Sequence, residues 1–97
     1  MPKLTEEALQ SALETIPSWK LEEGKLVRDW TFPDFVQAMV FVNQVAGIAE
    51  AANHHPDIDI RYNQVRLALI SHDSGGITKR DVNLAARIDR ELPPPIH

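Results

Sequence analysis

The run Glu50-Ala-Ala-Asn53-His54-His55-Pro56-Asp57-Ile58-Asp59-Ile60-Arg61-Tyr62-Asn63-Gln64-Val65-Arg66-Leu67-Ala68-Leu69-Ile70-Ser71-His72 holds three of the four histidines in the chain. Pro56 disfavours the α conformation at His55, so a helix arriving from upstream should end about there. Beyond it the period changes to two. Ile58, Ile60 and Tyr62 alternate with Asp57, Asp59 and Arg61, the pattern of a half-buried strand. A tight turn at Asn63-Gln64 leads into a second strand. There Val65, Leu67 and Leu69 share one face, and Arg66, Ala68, Ile70 and His72 share the other. Ala68 and Ile70 make that second face more apolar than open solvent requires. The stretch therefore reads as a helix end feeding a hairpin.

Working upstream, Pro33 and Asp34 open the helix and Phe35 to Asn53 is its body, with proline tolerated in the first turn. Phe35, Met39, Val42 and Ala46 form one apolar stripe, and Phe41, Val45, Ile48 and Ala52 a second. A helix this apolar faces more than one partner. Gly47 costs about 1 kcal/mol against alanine in mid-helix, which points to a close packing contact. Further upstream, Trp19 to Glu23 and Lys25 to Phe32 read as two strands joined at Gly24. Leu26, Trp30 and Phe32 share a face that Arg28 interrupts, which suggests an edge. Thr5 is a good helix N-cap for the apolar repeat Ala8, Leu9, Ala12, Leu13 and Ile16, which Pro17 stops. Downstream, Asp73 to Gly76 is a loop. Thr78-Lys-Arg-Asp81 matches a capping box, and Val82, Ala85, Ala86, Ile88 and Leu92 give the following helix its buried stripe. Residues 93–97, Pro-Pro-Pro-Ile-His, read as a tail outside the fold.

The order is α-β-β-α-β-β-α. Short links within each strand pair imply antiparallel hairpins. The expected fold class is α+β: a four-stranded antiparallel sheet with helices packed on one face. Ninety-seven residues, 43% of them hydrophobic, suit a single domain over 1–97 with one modest core. The apolar excess of the long helix and of the Ala68–Ile70 face predicts a homo-oligomer, dimer or tetramer.

With no cysteine, disulfides and thiolate metal sites drop out and a cytoplasmic protein is the easier expectation. The N-terminus carries no signal-type apolar core, and no apolar run is expected to reach membrane-spanning length. A formal net charge of −4 argues against direct nucleic-acid binding, which wants a basic face.

Glu50 and His54, four apart, should share a helix face. His54, His55 and His72 are candidates for proton transfer, because imidazole changes charge near neutral pH. A metal is the rival reading for three histidines and a carboxylate. Adjacent histidines on a terminating helix diverge, however, and no His-x3-His spacing occurs, so no metal is expected. Asp81 is accounted for locally as the third residue of the capping box. Trp19 and Tyr62 read first as packing residues.

The spacing Glu-x3-His-His-Pro-x5-Tyr-x9-His-x8-Asp, ending at Asp81, resembles the pterin-4a-carbinolamine dehydratase family. The likeness extends through Trp19, Phe32-Pro-Asp-Phe35, Tyr62-Asn-Gln-Val65 and Asp81-Val-Asn-Leu-Ala85. It implies a similar fold and a hydro-lyase that turns 4a-hydroxytetrahydropterin into quinonoid dihydropterin in tetrahydrobiopterin recycling, without a cofactor. By resemblance His54 and His72 are the general acids, His55 positions the pterin, Glu50 and Asp81 orient these groups, and Trp19 lies near the ring. The resemblance also leaves an alternative, a pterin-binding or protein-interaction role such as a dimerisation cofactor, or a molybdopterin-related one.

Overall fold

The computed structural model describes residues 2–92; the expected tail at 93–97 lies outside them. Its elements are α1 (Glu6–Thr15), β1 (Lys20–Glu22), β2 (Lys25–Thr31), α2 (Phe35–Ala52), β3 (Asp57–Arg61), β4 (Gln64–Leu69), a short 3-10 turn at His72–Ser74, and α3 (Lys79–Glu91). The α+β order of the sequence reading holds. The four strands form one antiparallel sheet in the order β1-β2-β4-β3.

Each element begins where a local signal places it. The Thr5 hydroxyl accepts the Ala8 N–H, and the Asp34 carboxylate accepts that of Gln37 at 2.8 Å. Each cap satisfies a donor that a helix start leaves without an internal partner. Gly24, at φ 78°, makes the β1–β2 turn. The second hairpin turns at Tyr62-Asn63 rather than at Asn63-Gln64, because Gln64 already pairs with Arg61 and Thr31. Tyr62 takes φ 53° there. The Asn63 side-chain amide stabilises the corner by donating to the Phe32 carbonyl at 2.8 Å.

Register sorts the sheet into two faces. Leu26 pairs with Leu69, Arg28 with Leu67 and Trp30 with Val65. These six face α2 and α3, whose Phe41, Val45, Ile48, Leu84, Ala85 and Ile88 complete the core. Trp30 sits edge-on to Trp19, with centroids 5.7 Å apart, and packs on Phe41 at 4.8 Å. Leu84 is buried although it lies outside the stripe expected for α3.

Arg28 pairs with Leu67 of β4 and lies just past Val27, the last residue of β2 that β1 pairs, so an edge is indeed close by. It lies on the core face because α3 brings Asp89 to it: Arg28 Nη1 meets Asp89 Oδ1 at 2.6 Å, with the guanidinium 4.5 Å over the Trp30 ring. Several expectations change. The outer sheet face is not an apolar patch. Arg66 grips Asp29 and Glu22, and Lys25 grips Asp57, around the small apolar pair Val27 and Ala68. The Arg66 hydrogen bond holds the Asp29 carboxyl below its ordinary range. Strand β3 is exposed along its whole length rather than half-buried. Ile58 and Ile60 do face the helix side, but the helices stop short of this edge.

Helix α2 buries Ala38, Phe41, Val42, Val45, Ile48 and Ala49, while Phe35, Val36 and Val40 stay exposed. A Cβ added to Gly47 would meet nothing within 4 Å, so no close contact among the described residues explains that glycine. With 18 residues and mean hydropathy 1.3, α2 is also long and apolar enough to cross a membrane by length and composition, against the expectation that no run would be. Its buried face belongs to the core of this sheet.

Asp89 also accepts the Trp19 indole N–H, at 2.9 and 3.1 Å. Asp89→Ala therefore strands both a guanidinium and an indole, whereas Arg28→Met removes a charge and keeps its packing stem. The expected loss is about 2–4 kcal/mol for Asp89→Ala and clearly less for Arg28→Met. Urea unfolding followed by tryptophan fluorescence measures both.

Candidate active site

Helix α2 stops at Ala52 because Asn53 turns left-handed, at φ 52° and ψ 41°. Asparagine tolerates that conformation better than most residues with a side chain. The Asn53 and His54 N–H groups then close on the Glu50 and Ala49 carbonyls, at 3.2 and 3.1 Å. The helix ends earlier than Pro56 alone implies, and His54 and His55 leave it in different directions. His54 points inward, with 11% of its side chain exposed, and His55 stays in solvent at 58%.

This reversal exchanges the expected partners. Glu50 does not hold His54; its Oε2 lies 2.7 Å from Nε2 of His55, in an exposed pair. His54 is instead held by Asp81, with Nε2 and Oδ1 2.5 Å apart. Asp81 is fully buried in the first turn of α3. Its other oxygen, Oδ2, accepts the Thr78 N–H at 2.8 Å and the Ser71 hydroxyl at 2.9 Å. The capping box read from the sequence is present, and the same carboxylate serves His54.

The geometry sets which nitrogen of His54 can do chemistry. A carboxylate accepts only, so Nε2 carries a hydrogen toward Asp81 and Nδ1 remains to exchange a proton with a ligand. A carboxylate so placed orients the ring and stabilises its cation. His54 borders an open cavity of about 230 Å³ lined by Ala52, Arg80, Asn83, Leu84 and Arg87. That is below the roughly 300 Å³ at which ligand pockets usually begin. A larger depression of about 480 Å³ lies on the outer sheet face, but its Arg66 and Arg61 are already paired with Asp29 and Asp59.

His72 opens the 3-10 turn and is exposed. The turn is closed by pairing of Ser71 with Gly76, and Gly75 takes φ 72° to allow it. Arg80 of α3 grips Asp73 in this turn at 2.7 Å. That hydrogen bond holds the Asp73 carboxyl below its ordinary value. The clamp is therefore intact above the usual carboxylate range and loosens only as pH falls through the lowered value.

The structure thus brings His54, Asp81 and the base of the His72 turn together, with Glu50 and His55 as an outer pair. Trp19 is not in this group: it is 3% exposed in the core and bonded to Asp89, eight residues along α3 from Asp81. At 1.5 Å per residue that is about 12 Å away along the helix. Among the described residues no three of His, Asp and Glu are grouped to hold a metal ion. Ser71 is the residue the sequence reading passed over. Its one signal was a lone hydroxyl ending a strand whose inward positions are otherwise leucine and valine.

Residues 2–91 match the family model described as pterin 4 alpha carbinolamine dehydratase. A protein of Acidobacterium capsulatum, provisionally named as a pterin-4-alpha-carbinolamine dehydratase, is 56% identical over 95% of this chain and all of that protein. One of Chloroflexus aurantiacus, named in the same provisional way, is 53% identical over 92% of this chain and 96% of its own length. The crystal structure of a transcriptional coactivator/pterin dehydratase from Brucella melitensis superposes with a TM-score of 0.84 at 32% identity, covering 91% of this chain and 96% of that one. A pterin dehydratase-like protein titled as a RuBisCO assembly factor in the alpha-carboxysome shares the fold, with a TM-score of 0.66 at 22% identity over 80% of this chain.

The two carboxylates differ in what their loss should do. Asp81→Ala strands the Thr78 N–H, the Ser71 hydroxyl and His54, for an expected loss of about 2–4 kcal/mol. Glu50→Gln touches only an exposed pair and should stay within about 0.5 kcal/mol of the parent. Denaturant midpoints at pH 7 compare the two.

Proposed function

We propose, from the premise that this chain belongs to the pterin-4a-carbinolamine dehydratase family, that it removes water from 4a-hydroxytetrahydropterin to give quinonoid dihydropterin. The observation that carries the reading is the buried Asp81–His54 pair at 2.5 Å, with Nδ1 of the ring left for a ligand. Expelling hydroxide is difficult, so the 4a oxygen must gain a proton as the C–O bond breaks, and the ring must lose its N5 proton. An imidazole that changes charge near neutral pH suits both steps.

His54 and His72 are the proposed acids, one for each face of the pterin ring. Their environments differ: His54 is anchored to a buried carboxylate, and His72 stands exposed on a clamped turn. His55 positions the substrate, steadied by Glu50, and Asp81 orients His54. Trp19 acts on the site only through the packing of α3. Recycling of tetrahydrobiopterin is the proposed setting, because aromatic amino acid hydroxylation is the reaction type that releases the carbinolamine.

We also propose that the chain is a homo-oligomer. Val36 and Val40, 69% and 52% exposed, lie on one side of α2 with Gly47, where the surface is open. Among the described residues strand β3 is an unpaired sheet edge, and such edges are normally blocked or covered. Two β3 strands paired antiparallel about Asp59 would set Asp57 opposite Arg61 twice, and Ile58 opposite Ile60.

Two measurements test these readings. In stopped-flow dehydration of separated 4a isomers, His54→Ala and His72→Ala should each lose 10²–10⁴-fold on one isomer and little on the other. The double variant should lose both, and a chelator should change nothing. Equal losses on both isomers would refute the two-faced assignment. For assembly, light scattering should show a multiple of the chain mass that collapses to a single chain in Val36→Glu/Val40→Glu. A single-chain mass for the parent at micromolar concentration would remove the proposal.

A further inference from the structure

Ser71 is 1% exposed and sits where the end of β4, the residues after α2 and the start of α3 meet. Its backbone belongs to the turn that carries His72: its N–H donates to the Gly76 carbonyl at 3.0 Å, and its own carbonyl accepts from Ser74 and Gly76 at 3.1 and 3.3 Å. Its side chain belongs to the other acid. The hydroxyl donates to Asp81 Oδ2 at 2.9 Å and lies 2.9 Å from the Thr78 hydroxyl. A serine has one hydrogen to give. Given to Asp81, it leaves the Thr78 hydroxyl as the donor to Ser71, so the two hydroxyls form a directed chain that ends on the carboxylate.

That chain has a geometric effect on His54. A carboxylate held at one oxygen by the Thr78 N–H, with the Thr78 hydroxyl no closer than 3.5 Å, can still swing about that bond. A second donor on Oδ2, arriving from a different element, removes the freedom and aims Oδ1 at Nε2 of His54. We propose that Ser71 is a positioning residue for His54, acting through Asp81, while its main chain independently anchors the turn of His72. The inference rests on the dehydratase reading for its kinetic consequence and on geometry alone for its structural one.

The division between main chain and side chain makes the proposal testable in a form that general destabilisation cannot imitate. Ser71→Ala keeps every backbone bond of the His72 turn and deletes only the hydroxyl. The variant should lose roughly ten- to hundredfold in kcat on the 4a isomer served by His54, the scale of one hydrogen bond to a charged group. Its KM and its turnover of the other isomer should change less than about threefold. Ser71→Thr, which retains the hydroxyl, should recover most of the loss.

The independent readout is the imidazole N–H proton of His54, observed by NMR in protein carrying ¹⁵N-histidine and identified by its disappearance in His54→Gln. Held by a buried carboxylate, it should appear far downfield and exchange slowly; in Ser71→Ala it should move or be lost to exchange. An unchanged His54 resonance in Ser71→Ala overturns the proposal, whatever the kinetics. So does an equal loss on both isomers, which marks a merely structural serine. If the parent lacks dehydratase activity, the function reading fails and the resonance still decides the positioning role. Should Ser71→Ala not fold, Ser71→Cys offers a weaker donor of similar size, and an intermediate shift of the resonance is expected.

Discussion

A fully buried carboxylate with three donors around it is the constraint on which this structure depends. Asp81 cannot be removed from water without them, because an unpaired buried charge costs several kcal/mol. The donors come from three parts of the chain: the start of α3 through Thr78, the end of β4 through Ser71, and the residues after α2 through His54. Satisfying one anion therefore fixes where three elements meet. The same requirement starts a helix, ends a strand and orients an imidazole. Stability and chemistry are coupled at this point, whereas the Glu50–His55 pair in solvent is nearly independent of the fold.

A second polar knot, of Arg28, Asp89 and Trp19, sits further along α3. It does for the opposite end of the helix what Asp81 does for its start, pinning α3 to the sheet by charge and hydrogen bonds where leucines alone would allow sliding. Two polar anchors on one helix leave little freedom in its register. The cavity beside His54 inherits that rigidity, since Asn83, Leu84 and Arg87 lie on α3 between the anchors.

Much of this was legible in the sequence, and the misses share a cause. Element order, both hairpins and the Thr78–Asp81 box are local facts written in period and capping chemistry. Glu50 and His54 were expected on one face because spacing by four presumes a helix that continues, and Asn53 ends it first. Arg28 reads only as a break in the apolar face of β2, because alternation cannot show a carboxylate 61 positions away on α3. Ile58 and Ile60 alternate correctly, yet alternation gives a side and not a depth, and the helices do not reach that far. Ser71 breaks the inward row of valine and leucine with one hydroxyl, and that signal acquires a meaning only when Asp81 is folded over it.

The strand order has a consequence for how the chain reaches this state. Both hairpins are local and can form early, but β2 and β4, the pair at the centre of the sheet, are joined through the whole of α2 and β3. Closing that long connection is entropically costly, and pairings of this kind set folding rates. His54 lies just before the second hairpin and Asp81 just after it, so their pair closes across β3 and β4 and uses no residue of β1 or β2. The candidate site therefore belongs to the C-terminal half of the chain, whereas the sheet that carries it is completed only when β2 joins β4.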